Sequence, residues 1–452
     1  MSVSLVGRSV MSLDAEALRA PSSAETFGAR WRPGGKLLNL HRLLGLLLII
    51  SAFVGLPRRV NLGPISGMGS LTIAEVVLLG AGIFVCGGYP KPLLVRILPY
   101  WGFLFWAAAS ALWAVPDFGG IQNGVVYLMF GLALLLAGTL ARRNASLMEY
   151  LIGRIVPWMD WIALTLVLRD LVANGLPNDP EEGWLVGPRP LAVLGLVMLS
   201  WHLSSWYFGS RHSRLPIALW LLAILFSMSR TGIAVALFLV ALVVILQTRF
   251  RPSRAALSAP ALIVAISLTT AVVAYSTAFN DRFFAGASTQ MVDVAGVEIN
   301  TSGRINMWRA TIESAMQSPF IGHGLGSSQR LIEGLFVRMQ HPHNDYLRIW
   351  HDLGAVGLVL VVTALGSWVW ILFRAWYDAE KRGTRCARVE LSGLLLLLAL
   401  GLVMVPDNAL IYPFIMGPAG ILIGTGLGAS LNSGRSPRRG AAARPAGIGP
   451  LG

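Results

Sequence analysis

The sequence predicts an all-α, polytopic membrane protein with about 12 transmembrane helices. Three observations carry this. Only 13% of the 452 residues are charged, whereas a soluble globular domain carries roughly 25%. Hydrophobic residues make up 55% and the mean hydropathy is +0.65. Apolar runs of about 17–25 residues, the length that crosses a bilayer as a helix, recur along the whole chain. Lipid offers no partner to backbone N–H and C=O groups, so such runs are helical.

Taken in order, residues 1–36 are polar and contain Arg, and read as a cytoplasmic tail with no clear cleavage site before the first apolar run. Nine spans are expected within 37–278, at 37–56, 71–86, 94–114, 121–140, 152–172, 186–206, 215–229, 230–247 and 259–278. A long polar connection, 279–353, follows. Three more spans are expected within 354–431, at 354–373, 391–405 and 409–431. The tail 432–452, made of Gly, Pro and Arg, is expected to be disordered and cytoplasmic.

The formal charge of +14 is read as loop anchoring. Short loops on one side carry fourteen cations: Lys91, Arg96, Arg142, Arg143, Arg211, Arg214, Arg249, Arg251, Arg254, Arg374, Lys381, Arg382, Arg385 and Arg388. The other side carries five: Arg58, Arg59, Arg169, Arg189 and Arg230. The positive-inside bias puts both termini in the cytoplasm and the connection 279–353 outside. Nucleic acid is not an expected partner, because no basic stripe with interleaved aromatics occurs. Cys86 and Cys386 are too far apart in sequence to suggest a metal spacing or a disulfide framework. Outer carboxylates (Asp281, Asp293, Glu298, Glu313) are scattered, so no metal is expected. Gly322, Gly324 and Gly326 lie in no βαβ unit and are not a dinucleotide fingerprint. No cofactor is expected. A transporter would show inverted repeats and paired intramembrane carboxylates; carboxylates within the expected spans are nearly limited to Glu75 and Asp160.

Within the outer connection, Ile305, Trp308, Ile312 and Ala315 mark one face of a helix that Pro319 ends. A second amphipathic stretch carries Leu331, Leu335, Phe336 and Met339. Both helices are expected to lie along the outer membrane boundary and to roof a cavity between the spans. His343 closes this connection. A neutral imidazole accepts a proton, and nearby guanidinium groups favour that form, so His343 is the candidate general base. A structural histidine held by one hydrogen bond is the plainer reading of the residue type. His341, across Pro342, is either a second candidate base or a packing and orienting residue. Asn344 is a supporting candidate beside it.

Cations on the outer side need a reason, and an anionic substrate is a sufficient one. Arg230 stands in a polar break between two apolar spans. An Arg at membrane depth costs several kcal/mol unless paired. Arg189 lies between Pro188 and Pro190, Arg58 and Arg59 follow Pro57, and Arg304 follows Ser302-Gly303. Guanidinium forks bind two phosphate oxygens at once, so these five are candidate diphosphate ligands. Asp407, in the short outer loop Pro406-Asp407-Asn408, pairs with one of the arginines, orients His343, or caps the last span.

Together these residues resemble the bacterial O-antigen ligase family, within the wider ligase–polymerase superfamily. The resemblance rests on Ser229-Arg230-Thr231-Gly232, on Ser302-Gly303-Arg304 with Trp308, on Pro319-Phe320-Ile321-Gly322-His323-Gly324-Leu325-Gly326, and on His343-Asn344-Asp345-Tyr346-Leu347 with its spacing to Gly354. It covers residues 215 to 410 or so. One departure is Ala234, where the family often has Leu four residues after the Arg. The resemblance implies a membrane glycosyltransferase (GT-C-like) architecture in the bacterial inner membrane, with a periplasmic active site. The implied donor is a polysaccharide on undecaprenyl diphosphate, and the implied acceptor is a sugar hydroxyl of lipid A–core. A polysaccharide polymerase or a protein O-oligosaccharyltransferase is the alternative reading.

Overall fold

The computed structural model describes residues 61–62, 65–175, 187–253, parts of 263–277, 291–294, 297–300, 303–336, 339–382 and 387–432. The expected span 37–56, the tails 1–36 and 433–452, Arg58 and Arg59 lie outside the described residues. Most of the expected span 259–278 does so too.

Among the described residues the chain forms α1 (Gly67–Val85), α2 (Lys91–Ala109), α3 (Phe118–Arg143), α4 (Ala145–Asn174), α5 (Pro188–Tyr207), α6 (Arg214–Phe226) and α7 (Arg230–Phe250). Then come α8 (Arg304–Ala315), α9 (Ser327–Leu335), α10 (Asp345–Arg382), α11 (Ala387–Val403) and α12 (Pro413–Ser430). Two short antiparallel hairpins break the all-α expectation: β1 (Asn61–Leu62) with β2 (Ile65–Ser66), and β3 (Met291–Val294) with β4 (Val297–Asn300). The second was legible. Val292, Val294, Val297 and Ile299 are β-branched and set at strand spacing around Ala295-Gly296.

Among the described residues, six helices are long and apolar enough to cross a membrane: Lys91–Leu112, α3, α4, α7, α10 and α12; Gly69–Val85 is a shorter apolar helix. The six correspond to six of the twelve expected spans; the span 37–56 and most of 259–278 lie outside the described residues. α6 has 13 residues and α11 has 17. α5 carries Ser200, His202, Ser204 and Ser205, all buried. His202 Nε2 lies 2.8 Å from Asp160 Oδ2, and Trp220 Nε1 donates to Asp160 Oδ1 across 2.7 Å. These contacts partner the buried Asp160 and tie α4, α5 and α6 together, as an ionisable group inside a bundle requires.

α12 is buried on every side and packs along α3. Gly420, Gly424 and Gly428 stand four residues apart and form one stripe. A Cβ on Gly424 would overlap the Leu134 carbonyl, and one on Gly428 the Gly138 carbonyl. Small residues let helix backbones approach closely where no water-driven force presses them together.

The helix ends sort by charge. At one end Arg251 pairs with Glu380 (2.7 Å), Arg388 with Glu149 (3.0 Å), and Arg96 Nη1 donates to Leu427 O (3.1 Å). All three arginines are among the fourteen cations assigned to inner loops. The opposite end gathers residues 110–120, the turn 319–326, the segment 341–354 and the loop 404–412. Leu325 N donates to Ser110 Oγ (3.2 Å), His323 N to His351 O (2.9 Å), and Asp345 N to Met404 O (2.9 Å).

The close α3–α12 seam predicts a clear contrast. Gly424→Leu should lower stability by about 3 kcal/mol or more, as overpacking against backbone does. Gly366→Leu, with nothing within 4 Å of its built Cβ, should leave the thermal transition in detergent unchanged. Equal transitions for the two variants would contradict the seam.

Candidate functional site

Asp345–Arg382 (α10) is two helical stretches that meet at a kink at Gly354, where φ is 66; the second stretch is the apolar helix expected to run on from 354. That break strips partners from the carbonyls before it and the N–H groups after it. The glycine-rich turn supplies both. His323 N and Gly324 N donate to His351 O and Asp352 O, at 2.9 and 2.8 Å. Ala355 N and Val356 N donate to Pro319 O and Phe320 O, at 2.8 and 3.2 Å. The two backbones are so close that a Cβ on Gly322 would overlap the Asp352 carbonyl. This close approach is why a glycine stands at 354 and at 322. Asp352 adds a side-chain clamp, accepting from Gly326 N (3.0 Å) and Ser328 N (2.7 Å) at the start of α9.

The helix start is equally fixed. Asn344 Oδ1 accepts from Leu347 N (2.9 Å). Asn344 therefore caps α10, as its residue type favours. Trp308 Nε1 donates to Pro342 O (2.8 Å), tying α8 to the segment just before His343. His343 is then held at φ 51, a left-handed backbone that a non-glycine residue adopts at a cost. The only other non-glycine residue with positive φ among those described is Met228 (φ 54), two positions before Arg230. Both strained positions flank candidate site residues, where such strain concentrates.

Around the His343 ring the structure assembles three partners. Arg189 Nη1 donates to Nε2 across 3.3 Å. Asp407 Oδ1 faces Nδ1 at 3.4 Å. The Asn408 amide lies 3.4 Å from the same Nδ1. A guanidinium can only donate, so Nε2 carries the lone pair and Nδ1 the proton. Nδ1–H then points to the Asp407 carboxylate. Turned over, the Asn408 amide would also accept from it through Oδ1, an atom otherwise buried without a partner. Asp407 does not cap the last helix, whose N-cap is Tyr412.

The charges follow from this arrangement. Burial first, then Arg189 and Arg304, push the His343 imidazole below its ordinary 6.5, while the Asp407 carboxylate works to raise it. His343 is therefore neutral near pH 7. Burial works to raise the Asp407 carboxyl, but the His343 hydrogen bond and the charges of Arg304, His343 and Arg189 outweigh it, bringing it to about 2. Burial takes His341 to about 3, with Arg348 and His343 acting in the same direction. His341 is thus neutral near pH 7, and its buried Nδ1 has no hydrogen-bond partner.

Two cations, Arg189 and Arg304, meet at Asp407 and His343, and Arg230 stands at a neighbouring helix start. Arg304, the first residue of α8, faces Asp407 and Arg189 electrostatically. Its buried Nε makes no hydrogen bond. Arg230 opens α7, with Ser229 Oγ accepting from Gly232 N (3.2 Å) as the cap. A Cβ on Gly232 would come within 2.7 Å of the Ala192 Cβ, so the N-termini of α5 and α7 lie side by side. Arg189 and Arg230 therefore sit at adjacent helix starts, where unpaired N–H groups and the helix dipole favour an anion. Arg230 is not among the hydrogen-bond partners of His343. Among the described residues, no group of three or more His, Cys, Asp or Glu is placed to hold a metal ion.

Sequence reasoning missed Asn408, Asp345 and Arg348 as parts of this site. The i,i+3 spacing of Asp345 and Arg348 was a readable signal for a helical ion pair. The approach of Asn408 to His343 had none.

Residues 215–362 match the family model described as O-antigen ligase, which is about a third of the chain. The region is thus similar to the O-antigen ligase family, in agreement with the motif resemblance. No curated protein matches the chain. Arg230, Arg304, His341, His343 and Asn344 fall inside the matched residues, whereas Arg189 and Asp407 fall outside and join the site only through the fold.

The Asp407–His343 contact sets two measurable signs. Diethylpyrocarbonate reacts with the neutral ring, so its rate at His343, followed by mass spectrometry, should fall to half below pH 6.5. Asp407→Asn removes the one group that raises the imidazole, and should move that midpoint further down; an upward move would contradict the assignment. For stability, a carboxyl lowered from 3.8 to about 2 contributes fully above 3.8. That contribution is lost as the pH falls toward 2.

Proposed function

We propose that this protein is an O-antigen ligase of the inner membrane, transferring a glycan from undecaprenyl diphosphate to a sugar hydroxyl of lipid A–core at the periplasmic face. The observation that carries the reading is His343: a neutral imidazole, oriented through Nδ1 by Asp407, with Nε2 aimed at a cation-rich site. The family match over 215–362 supports the class of reaction. Gathering Arg96, Arg251 and Arg388 at the end opposite the site supports its periplasmic placement.

In this mechanism the donor's diphosphate settles against Arg189, Arg230 and Arg304 and the starts of α5 and α7. Arg58 and Arg59 are further candidate ligands. Drawn to phosphate, Arg189 leaves His343 Nε2, which then faces the acceptor. Nε2 takes the proton of the acceptor hydroxyl as that oxygen attacks the anomeric carbon. The bond from that carbon to the diphosphate oxygen breaks, and undecaprenyl diphosphate leaves with the electron pair. One displacement inverts the anomeric configuration. Asp407 stabilises the imidazolium that forms. The arginines stabilise charge on the leaving group, a placed effect worth about 3–4 kcal/mol per donor. Diphosphate is already a good leaving group on the anomeric carbon, so no nucleotide is needed, and the arginines take the charge-stabilising part that a metal plays elsewhere.

The test is reconstitution of purified protein with lipid-linked donor and lipid A–core, with excess EDTA and no nucleotide. Wild type should yield high-mass lipopolysaccharide on a gel. His343→Ala should lose about 100-fold or more in turnover, with donor binding retained. Near-normal transfer by His343→Ala would overturn the catalytic assignment. Lengthening of the donor glycan without transfer to the core would replace the ligase reading with the polymerase one. Because Arg189 covers Nε2 until the donor arrives, initial-rate kinetics should show ordered binding, donor first; acceptor-first binding would contradict that step.

A further inference from the structure

We infer that the buried Asp345–Arg348 pair is the positioning device that holds Asp407 and Asn408 against His343, a reading that rests on His343 as the base. His343 and its partners come from segments more than sixty residues apart in sequence. His343 and Asp407 themselves share only a long 3.4 Å contact, too weak to fix their mutual position. Asp345 makes the short contacts. Its Oδ2 accepts from Ala409 N (2.7 Å) and Leu410 N (3.0 Å), and its backbone N donates to Met404 O (2.9 Å). One residue, two positions after His343, thus grips both ends of the loop that carries Asp407 and Asn408.

A fully buried carboxylate needs a countercharge. Arg348, one helical turn on, supplies it, with Nη2 2.6 Å from Asp345 Oδ1. The pair is almost completely enclosed, Arg348 being 1% and Asp345 0% exposed. None of the Arg348 side-chain N–H groups is aligned for a hydrogen bond. It therefore acts on Asp345 as a charge, braced at 5.8 Å by the Tyr127 ring. Neither side chain faces the site where substrate would react. The pair's work is transmitted through the 404–410 backbone to the carboxylate that orients the base.

Two double variants separate this from a simple packing role, because both remove the buried charges together and each can fold. Asp345→Asn with Arg348→Met keeps an acceptor oxygen for Ala409 and Leu410. Asp345→Leu with Arg348→Met does not. The Asn pair should retain most of the wild-type kcat. The Leu pair should lose about 100-fold in kcat, as misplacement by about 1 Å can, with the KM for the lipid-linked donor unchanged. Diethylpyrocarbonate labelling should accelerate at His343 in the Leu pair but not at His202, buried among α4, α5 and α6. Equal kcat in the two doubles, or a loss confined to donor KM, would overturn the proposal. So would acceleration at both histidines, which reports general loosening. If wild type itself transfers no glycan, the proposed function fails; the labelling contrast still decides whether Asp345 positions the His343 neighbourhood.

Discussion

The left-handed break at Gly354 is the constraint on which the rest of this structure depends. A helix that turns there exposes carbonyls on one side and N–H groups on the other. Buried backbone groups must be paired, and at a membrane surface few partners are available. The turn 319–324 fills both sets through four backbone hydrogen bonds. The exchange welds the polar connection to the bundle. It fixes the direction in which α10 leaves, and with it the segment 341–345 at its start. Asp352, capping α9 from within the same turn of helix, extends the weld.

On that frame the site gathers opposed charges without neutralising all of them. Asp407 is surrounded by His343, Arg304 and Arg189, and stays ionised for that reason. One carboxylate is outnumbered by the cations near it; burial first, with Arg189 and Arg304 adding to it, keeps His343 neutral against the pull of Asp407. The positive potential of these cations is what an incoming diphosphate would meet. A base and an anion site thus share one arrangement: cations that would bind phosphate add to burial in favouring the proton-accepting form of the imidazole. Strain accompanies it. His343 and Met228 both sit at positive φ, each at a cost of order 1–3 kcal/mol. Neighbouring contacts hold them there, the Trp308 bond to Pro342 and the Ser229 cap among them.

Two buried aspartates follow one rule. Asp160 is paired with His202 and Trp220, and Asp345 with Arg348 and two backbone N–H groups. Each tie joins segments far apart in sequence or turns of one helix, and each satisfies a carboxylate that would otherwise be costly. The first locks three helices inside the bundle. The second lies beside the base.

By itself the sequence determined the helical membrane class, because hydropathy and length record the solvent each segment must face. It also singled out His343, Arg189, Arg230 and Arg304, because a cation or a titratable group beside an apolar run is out of place unless it has work to do. The resemblance carried by the motifs around residues 229, 304, 322 and 343 named the family type. What it did not determine is who meets whom. Asp407 was open between capping a helix, pairing with an arginine and orienting His343, since a side chain's partner across sixty residues leaves no periodic trace. Asn344 stood beside His343 in sequence, yet its amide is spent on the helix start. Gly354 was visible as a spacing, but its role required the carbonyls and N–H groups of a turn thirty residues earlier. Tertiary structure decided these points because hydrogen bonds act over 3 Å or so, and only folding brings residues that remote in sequence within such a distance.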